Sequence, residues 1–258
     1  MLVAEKRMTK IWNRWMGGVR QTTPAKLAMT AAAALTLALA LSACQNVAGY
    51  TQPSLVRVID ASYIAPAINV VVEGVLLAGN IGQGTITPYG TLPATGDALI
   101  KVTAATGGAA LVSSDGTLLA GHQHSVFITD NGAAPTSYMV TVLEDQQIPA
   151  ASGHSAFRFL NQAPKTGPVD IYMVPTGTTL ANTIPLVTAL PVGATAGYIS
   201  FNSQTVTMVI TPTGVITPKY TSTALALTGG EVYTVLLWDT QLTSDPPVAV
   251  TIASDLSE

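Results

Sequence analysis

Two kinds of apolar pattern divide this chain. Residues 27–43, Leu-Ala-Met-Thr-Ala-Ala-Ala-Ala-Leu-Thr-Leu-Ala-Leu-Ala-Leu-Ser-Ala, form one uncharged, helix-favouring run. From Ser54 onward the apolar residues come instead in short, β-branched stretches separated by turn residues. Stretches of this kind predict strands at 54–60, 68–73, 98–104, 109–113, 123–129 and 138–143, then at 155–161, 169–174, 196–202, 204–211, 230–238 and 247–253. Asp115-Gly116 and Asn131-Gly132 are strong hairpin signals, and Thr106-Gly107-Gly108 and Asn202-Ser203 are weaker ones. Beyond residue 53 no window keeps a 3.6-residue apolar period, and Pro or Gly interrupts nearly every stretch of helical length.

The two series of strands overlie one another. An offset of 101 places Ser54 to Asp60 over Ser155 to Asn161 and carries Ile68 to Val72 onto Val169 to Met173. The offset then grows to 109, where Gly121 to Asp130 overlies Gly230 to Asp239, so the second copy holds an eight-residue insertion. At an offset of 110, Met139 to Val142 falls over Ala249 to Ile252. The expected architecture is all-β, two tandem antiparallel β-sandwich (Ig-like) domains after an amino-terminal signal segment, with a barrel as the alternative. The domains run over 54–148 and 154–258, a size typical of independent units, and are joined at Pro149-Ala150-Ala151-Ser152-Gly153.

Charge sharpens the division. Only 10% of the chain is charged, against about 25% in an ordinary soluble domain. Six of the 11 basic residues, Lys6, Arg7, Lys10, Arg14, Arg20 and Lys26, precede the apolar run, with Glu5 the only acid before it. Cations followed by a short apolar stretch are the pattern of a secretory signal over 1–43. The run is short and Ala-rich for a membrane span, which needs about 20 strongly apolar residues. It ends in Leu41-Ser42-Ala43-Cys44, similar to the lipobox of bacterial lipoproteins, and Cys44 is the only Cys in the chain. A lone thiol in an exported protein forms no internal disulfide, and lipidation would remove it. By that resemblance a lipidated Cys44 holds the body at a membrane through a tether over 44–53, with Gln45 in place of Asp pointing to the outer membrane. Several acyl chains make such attachment stable where one is marginal. Residues 45–258 keep 5 basic and 13 acidic side chains, a net charge of −8. So acidic a body, with dispersed cations, excludes nucleic acid as partner.

The run Arg57-Val58-Ile59-Asp60-Ala61-Ser62-Tyr63-Ile64-Ala65-Pro66-Ala67-Ile68-Asn69-Val70-Val71-Val72-Glu73-Gly74 resembles the opening of the bacterial domain-of-unknown-function family DUF4397. Members typically read V-R-V-V-H-A-S-P-D-A-P-A-V-D-V-Y-V-D-G. Here Asp60 stands for the usual His, Tyr63-Ile64 for Pro-Asp, and Asn69 for the first later acid. In the second copy Arg158, Ala163-Pro164, Gly167-Pro168 and Val169-Asp170-Ile171-Tyr172 follow the pattern more closely, although Asn161 also departs from His. The resemblance spans roughly 54–255 and implies an exported β-sandwich with no known reaction.

Candidate chemistry is sparse. Arg57 and Arg158 hold equivalent places among five cations of the body, and alternation puts Arg57 on the face of Leu55 and Ile59. Each suits a semi-buried carboxylate or carbonyl pairing across a sandwich edge, and a ligand grip is the alternative. Asp170 joins them as the acid of the family pattern. His122 and His124, two apart, would share a strand face and could chelate a metal, with Asp130 or Glu144 as third ligand; an exposed strand face is the plainer reading. Gly153-His154-Ser155-Ala156-Phe157 imitates a nucleophile elbow but closes on Phe157 where the motif requires Gly. Turn acids Asp97, Asp115 and Asp130 lack the calcium-loop spacing. Trp238 fits a core or domain-interface position better than a sugar platform. The expected function is therefore a lipid-anchored envelope protein with a structural or binding role toward a protein or glycan, without cofactor or catalysis. Loops and an interdomain groove would be its working surfaces. The alternative is a carbohydrate-processing accessory enzyme or metal-dependent hydrolase of the envelope.

Overall fold

The computed structural model describes residues 51–130, 137–240 and 246–256. The expected export segment, Cys44 and the expected turn at Asn131-Gly132 lie outside the described residues. From Thr51 onward the chain forms one compact unit. The fold is all-β, and the described residues contain sixteen strands and a single 3-10 turn at Leu180–Asn182.

Four sheets of four strands make up the unit. In the first half, β1 (Ser54–Asp60), β4 (Gly90–Leu92), β7 (Gln123–Asp130) and β8 (Tyr138–Glu144) form an inner sheet in the order β4-β1-β7-β8. Against it lies an outer sheet of β2 (Ile68–Val72), β3 (Val75–Ile81), β5 (Gly96–Ala104) and β6 (Ala110–Leu118), ordered β3-β2-β5-β6. The second half has an inner sheet of β9 (His154–Gln162), β12 (Thr195–Asn202), β15 (Val232–Asp239) and β16 (Val248–Ser254), ordered β12-β9-β15-β16. Its outer sheet comprises β10 (Val169–Pro175), β11 (Val187–Leu190), β13 (Thr205–Pro212) and β14 (Tyr220–Ala226), ordered β11-β10-β13-β14. Every strand of the second half thus sits where the strand eight earlier sits in the first. Pairing is antiparallel except between β1 and β7, where Val58 lies beside Val126, and between β9 and β15, where Phe159 lies beside Val235.

The apolar patterns explain the layering. Outer strands alternate, as in β5, where Ala98, Ile100 and Val102 point inward between exposed Asp97, Leu99 and Lys101. The central inner strands β1, β7, β9 and β15 are instead buried on both faces, as near-continuous apolar runs require. One face of β1 and β7 supplies Val56, Val58, Val126 and Ile128 to a core shared with the outer sheet. Phe157, Phe159, Val235 and Leu237 do the same in the second half. Their other faces meet each other, where Ile59, Ala61 and Phe127 of the first half pack on Leu160 and Leu236 of the second. Each fully buried Val, Ile, Leu or Phe side chain among them contributes about 1.5–3 kcal/mol. The expected groove between the halves is therefore a packed seam.

Local details differ from the sequence reading. Asp115-Gly116 is not a turn: both residues lie inside β6, paired with Leu99 and Ala98. Glycine is needed there for packing, since a Cβ on Gly116 would stand 2.5 Å from Val142 Cγ2. Thr106-Gly107-Gly108 does turn, with φ of +78° and +66° at its glycines. The longest difference between the halves is the β10–β11 connection, which replaces the tight Glu73-Gly74 turn between β2 and β3. Its Leu180 covers Tyr172, Val174 and Val209 on the outer face of β10 and β13.

Candidate functional site

The polar centre of the molecule lies in the seam, built by residues that β1, β7, β9 and β15 turn away from their own sandwich cores. Arg57, 1% exposed, donates from Nε to Ser125 Oγ (2.8 Å) and from Nη1 to the Ser254 carbonyl (3.0 Å). Its Nη2 donates to Thr234 Oγ1 (3.1 Å) and forms an ion pair with Asp255. Arg158, 3% exposed, mirrors it. Its Nη2 pairs with Asp145, its Nε and Nη2 reach Thr234 Oγ1 (3.1 and 2.8 Å), and its Nη1 reaches the Glu144 carbonyl (3.4 Å). Each arginine therefore comes from one half and its carboxylate from the other.

Hydroxyls complete the arrangement. The Ser125 hydroxyl donates to Asp145 (2.7 Å to the nearer oxygen) and Thr234 Oγ1 donates to Asp255 (2.8 Å). Tyr89 donates to Asp145 (2.8 Å) while its ring lies under the Arg57 guanidinium at 4.8 Å. Tyr198 donates to Asp255 (2.6 Å) and underlies Arg158 at 5.0 Å. Burial of an isolated ion pair costs more than its attraction returns, and further hydrogen bonds of this kind offset that cost. Burial opposes the Arg57 charge, but Asp255, Tyr89 and Asp145 outweigh it and hold the guanidinium above its ordinary value. Burial likewise pushes the Tyr89 and Tyr198 phenols well up, against the lowering pull of the arginines. Each arginine is bound to a carboxylate and to hydroxyl groups and is shut off from solvent.

Arg57 and Arg158 were legible in the sequence, but their partners lie between the sheets, not across a sandwich edge. Asp145, Asp255, Ser125, Thr234, Tyr89 and Tyr198 were missed. Their signal was the repeat itself, since Ser125 and Tyr89 stand 109 positions before Thr234 and Tyr198, and Asp145 stands 110 before Asp255.

The other candidates lie apart from this centre. Asp170 accepts from the Ala189 amide (2.7 Å) and the Gly214 amide (3.0 Å), fixing Ala189 at φ +51°. Asn69 does the same in the first half for Asn80, whose φ is +52°. Trp238 is half-buried at the seam, its ring against Gly84 and its Nε1 donating to Thr251 Oγ1 (3.2 Å). His122 precedes β7 and pairs through Nδ1 with Glu144 (2.6 Å) on the surface. His124 is buried, and its Nε2 accepts from the Leu119 amide (3.3 Å), which occupies the lone pair a metal would take. Among the described residues no group of three His, Cys, Asp or Glu side chains could hold a metal ion. Ser155 is buried, and its hydroxyl donates to the Thr228 carbonyl (2.8 Å).

Fold and seam define an all-β protein of two matched sandwiches joined by a buried, reciprocal charge network. The family model described as Domain of unknown function (DUF4397) matches residues 54–172, so the chain carries a DUF4397 domain. The matched stretch holds β1 to β9 and the first half of β10. No curated protein matches the chain. Among solved structures it is similar to the family CBM26 module CBMbc from Eubacterium rectale, in complex with maltoheptaose, at 9% identity and a TM-score of 0.24, covering 80% of this chain and 98% of that one. It is also similar to a candidate cell adhesion protein from Bacteroides eggerthii, at 12% identity and a TM-score of 0.20, covering 82% and 97%.

Proposed function

We propose that the protein is a lipid-anchored component of the bacterial cell envelope, attached through Cys44 at the outer membrane, in which the two joined sandwiches serve a structural or binding role without catalysis. The carrying observation is the seam. Its arginines are tied to Asp255 and Asp145, and the groove that would have offered a working surface is filled. Contact with another envelope protein or a glycan then falls to the loops at the ends of a stiff body, the usual place for recognition on a β scaffold. The run over 27–43 followed by Cys44 supports the anchor.

Metabolic labelling with a palmitate analogue tests attachment. Label on the wild type and none on Cys44→Ser is expected, and a membrane fraction free of label would overturn it. Glycan arrays and crosslinking pull-downs with the body from Gln45 onward test the second element. A saturable partner is expected for a binding role, and clean negatives in both leave a structural one. Turnover of an envelope glycan by the purified body would replace either with catalysis.

A further inference from the structure

Asp60 closes β1 at the end of the first sandwich, completely buried. Its Oδ1 accepts from the Ser62 amide (3.1 Å) and hydroxyl (2.8 Å), but its Oδ2 is buried without a partner. Asp130, at the end of β7, has the same shortfall: Oδ2 accepts from the Tyr63 amide (2.6 Å) and Oδ1 is buried without a partner. An unpaired buried carboxylate oxygen is costly, and two such acids near one another add repulsion.

The second half shows how this position is satisfied. Asn161 stands at the place of Asp60, with Oδ1 accepting from the Ala163 amide (3.0 Å) as Asp60 Oδ1 accepts from Ser62. Asn161 Nδ2 donates to the carbonyls of Gly167 (3.0 Å) and Leu190 (2.9 Å). Leu190 pairs with Val169 as Ile81 pairs with Ile68, so the matching carbonyls of the first half belong to Pro66 and Ile81. The second half thus places a donor where Asp60 carries a bare oxygen.

We propose that Asp60 is held as the neutral acid, its Oδ2–H taking the place of the Asn161 amide, so that the loop over 61–67 is a proton-dependent latch on the first sandwich. Losing that proton to solvent leaves an anion whose Oδ2 has no donor, facing Asp130. The titratable groups around Asp60 are Asp130 on β7, Tyr138 on β8, whose phenol both acids push up after burial, and Tyr63 in the loop, raised by burial, Asp130 and Asp239. Burial first, then Asp130, raises the Asp60 carboxyl to about 6 against the pull of Ser62. A value above that of the unfolded chain means that this stabilisation is complete below about pH 4 and is lost as pH rises through about 6.

The test is carboxyl 13C NMR and thermal unfolding of the mature chain between about pH 4 and pH 8, with Asp60→Asn and Asn161→Asp beside the wild type. One aspartate should show the shift of a neutral acid at pH 5, absent in D60N. D60N should also melt several degrees above the wild type at pH 8 and level with it at pH 4. N161D should acquire a second such titration. Asp60 ionising in the ordinary carboxylate range would overturn the proposal. So would calcium chloride at pH 8 raising the melting point of the wild type but not of D60N, because the missing positive charge would then be a cation.

Discussion

Arg57 in the first strand and Asp255 just after the last, 198 positions apart, form a buried ion pair that ties one sandwich to the other. Arg158 and Asp145 form the reciprocal pair. Within one half the arginine and carboxylate stand only 3.9 Å (Arg57 and Asp145) and 4.0 Å (Arg158 and Asp255) apart, so a half alone would lose the close, hydrogen-bonded partner of both its charges. The two sandwiches are therefore expected to unfold together.

Removing one member of a buried pair leaves the other uncompensated, at a cost of about 3–5 kcal/mol. Arg57→Met should lose about that much in urea unfolding while keeping a single transition. Adding Asp255→Leu should return part of the loss, because the stranded carboxylate goes with it. Strictly additive effects, or two separate transitions, would count against a shared network.

Gly84 offers a second handle on the seam. It sits at φ +78°, and a Cβ there would meet the Trp238 indole at 2.5 Å. Gly84→Ala should cost about 1–3 kcal/mol through strain and overpacking together. In the body from Gln45 onward Trp238 is the only Trp, so its emission reports the event directly. A red shift is expected as the ring is displaced toward solvent; unchanged emission and stability would place the indole elsewhere.

Gly116 tests packing without backbone strain. Its added Cβ would stand 2.5 Å from Val142 Cγ2 and 3.0 Å from Ile100 Cδ1. Gly116→Ala should destabilise by about 1–3 kcal/mol, and Val142→Ala in the same chain should recover much of it. If Gly116→Ala were neutral or stabilising, β8 would not pack closely on β6.

What could be read in the sequence follows from which forces are local. Strands that bury an alternating or continuous apolar face, such as β5 and β9, announced themselves. Four others did not. Strands β4 and β11 are only three and four residues long, β3 is broken by Gly79-Asn80 and its shifted register, and β14 is an edge strand of mostly Thr, Ser and Ala. Asp115-Gly116 misled because a glycine required by a neighbour 26 positions away looks, locally, like a turn. The seam was half legible: its arginines are rare enough to stand out, whereas Asp145 and Asp255 gain meaning only when the two inner sheets face one another.

The tyrosines of the seam give a sign-definite pH test. Burial raises Tyr89 and Tyr198 above the ordinary phenol value, so the folded chain holds these protons more tightly than the unfolded one. Their contribution is complete below about pH 10 and is lost as pH climbs beyond it. In an absorbance titration at least two of the eight tyrosines should stay protonated past the first ionisations, then release together as circular dichroism reports unfolding. Tyr89→Phe with Tyr198→Phe should flatten that alkaline loss, while lowering stability at pH 8 by about 1–3 kcal/mol per buried carboxylate left short of a donor. Ionisation of all the tyrosines near pH 10 with the fold intact would mean that the two rings are open to water and that the seam is not closed.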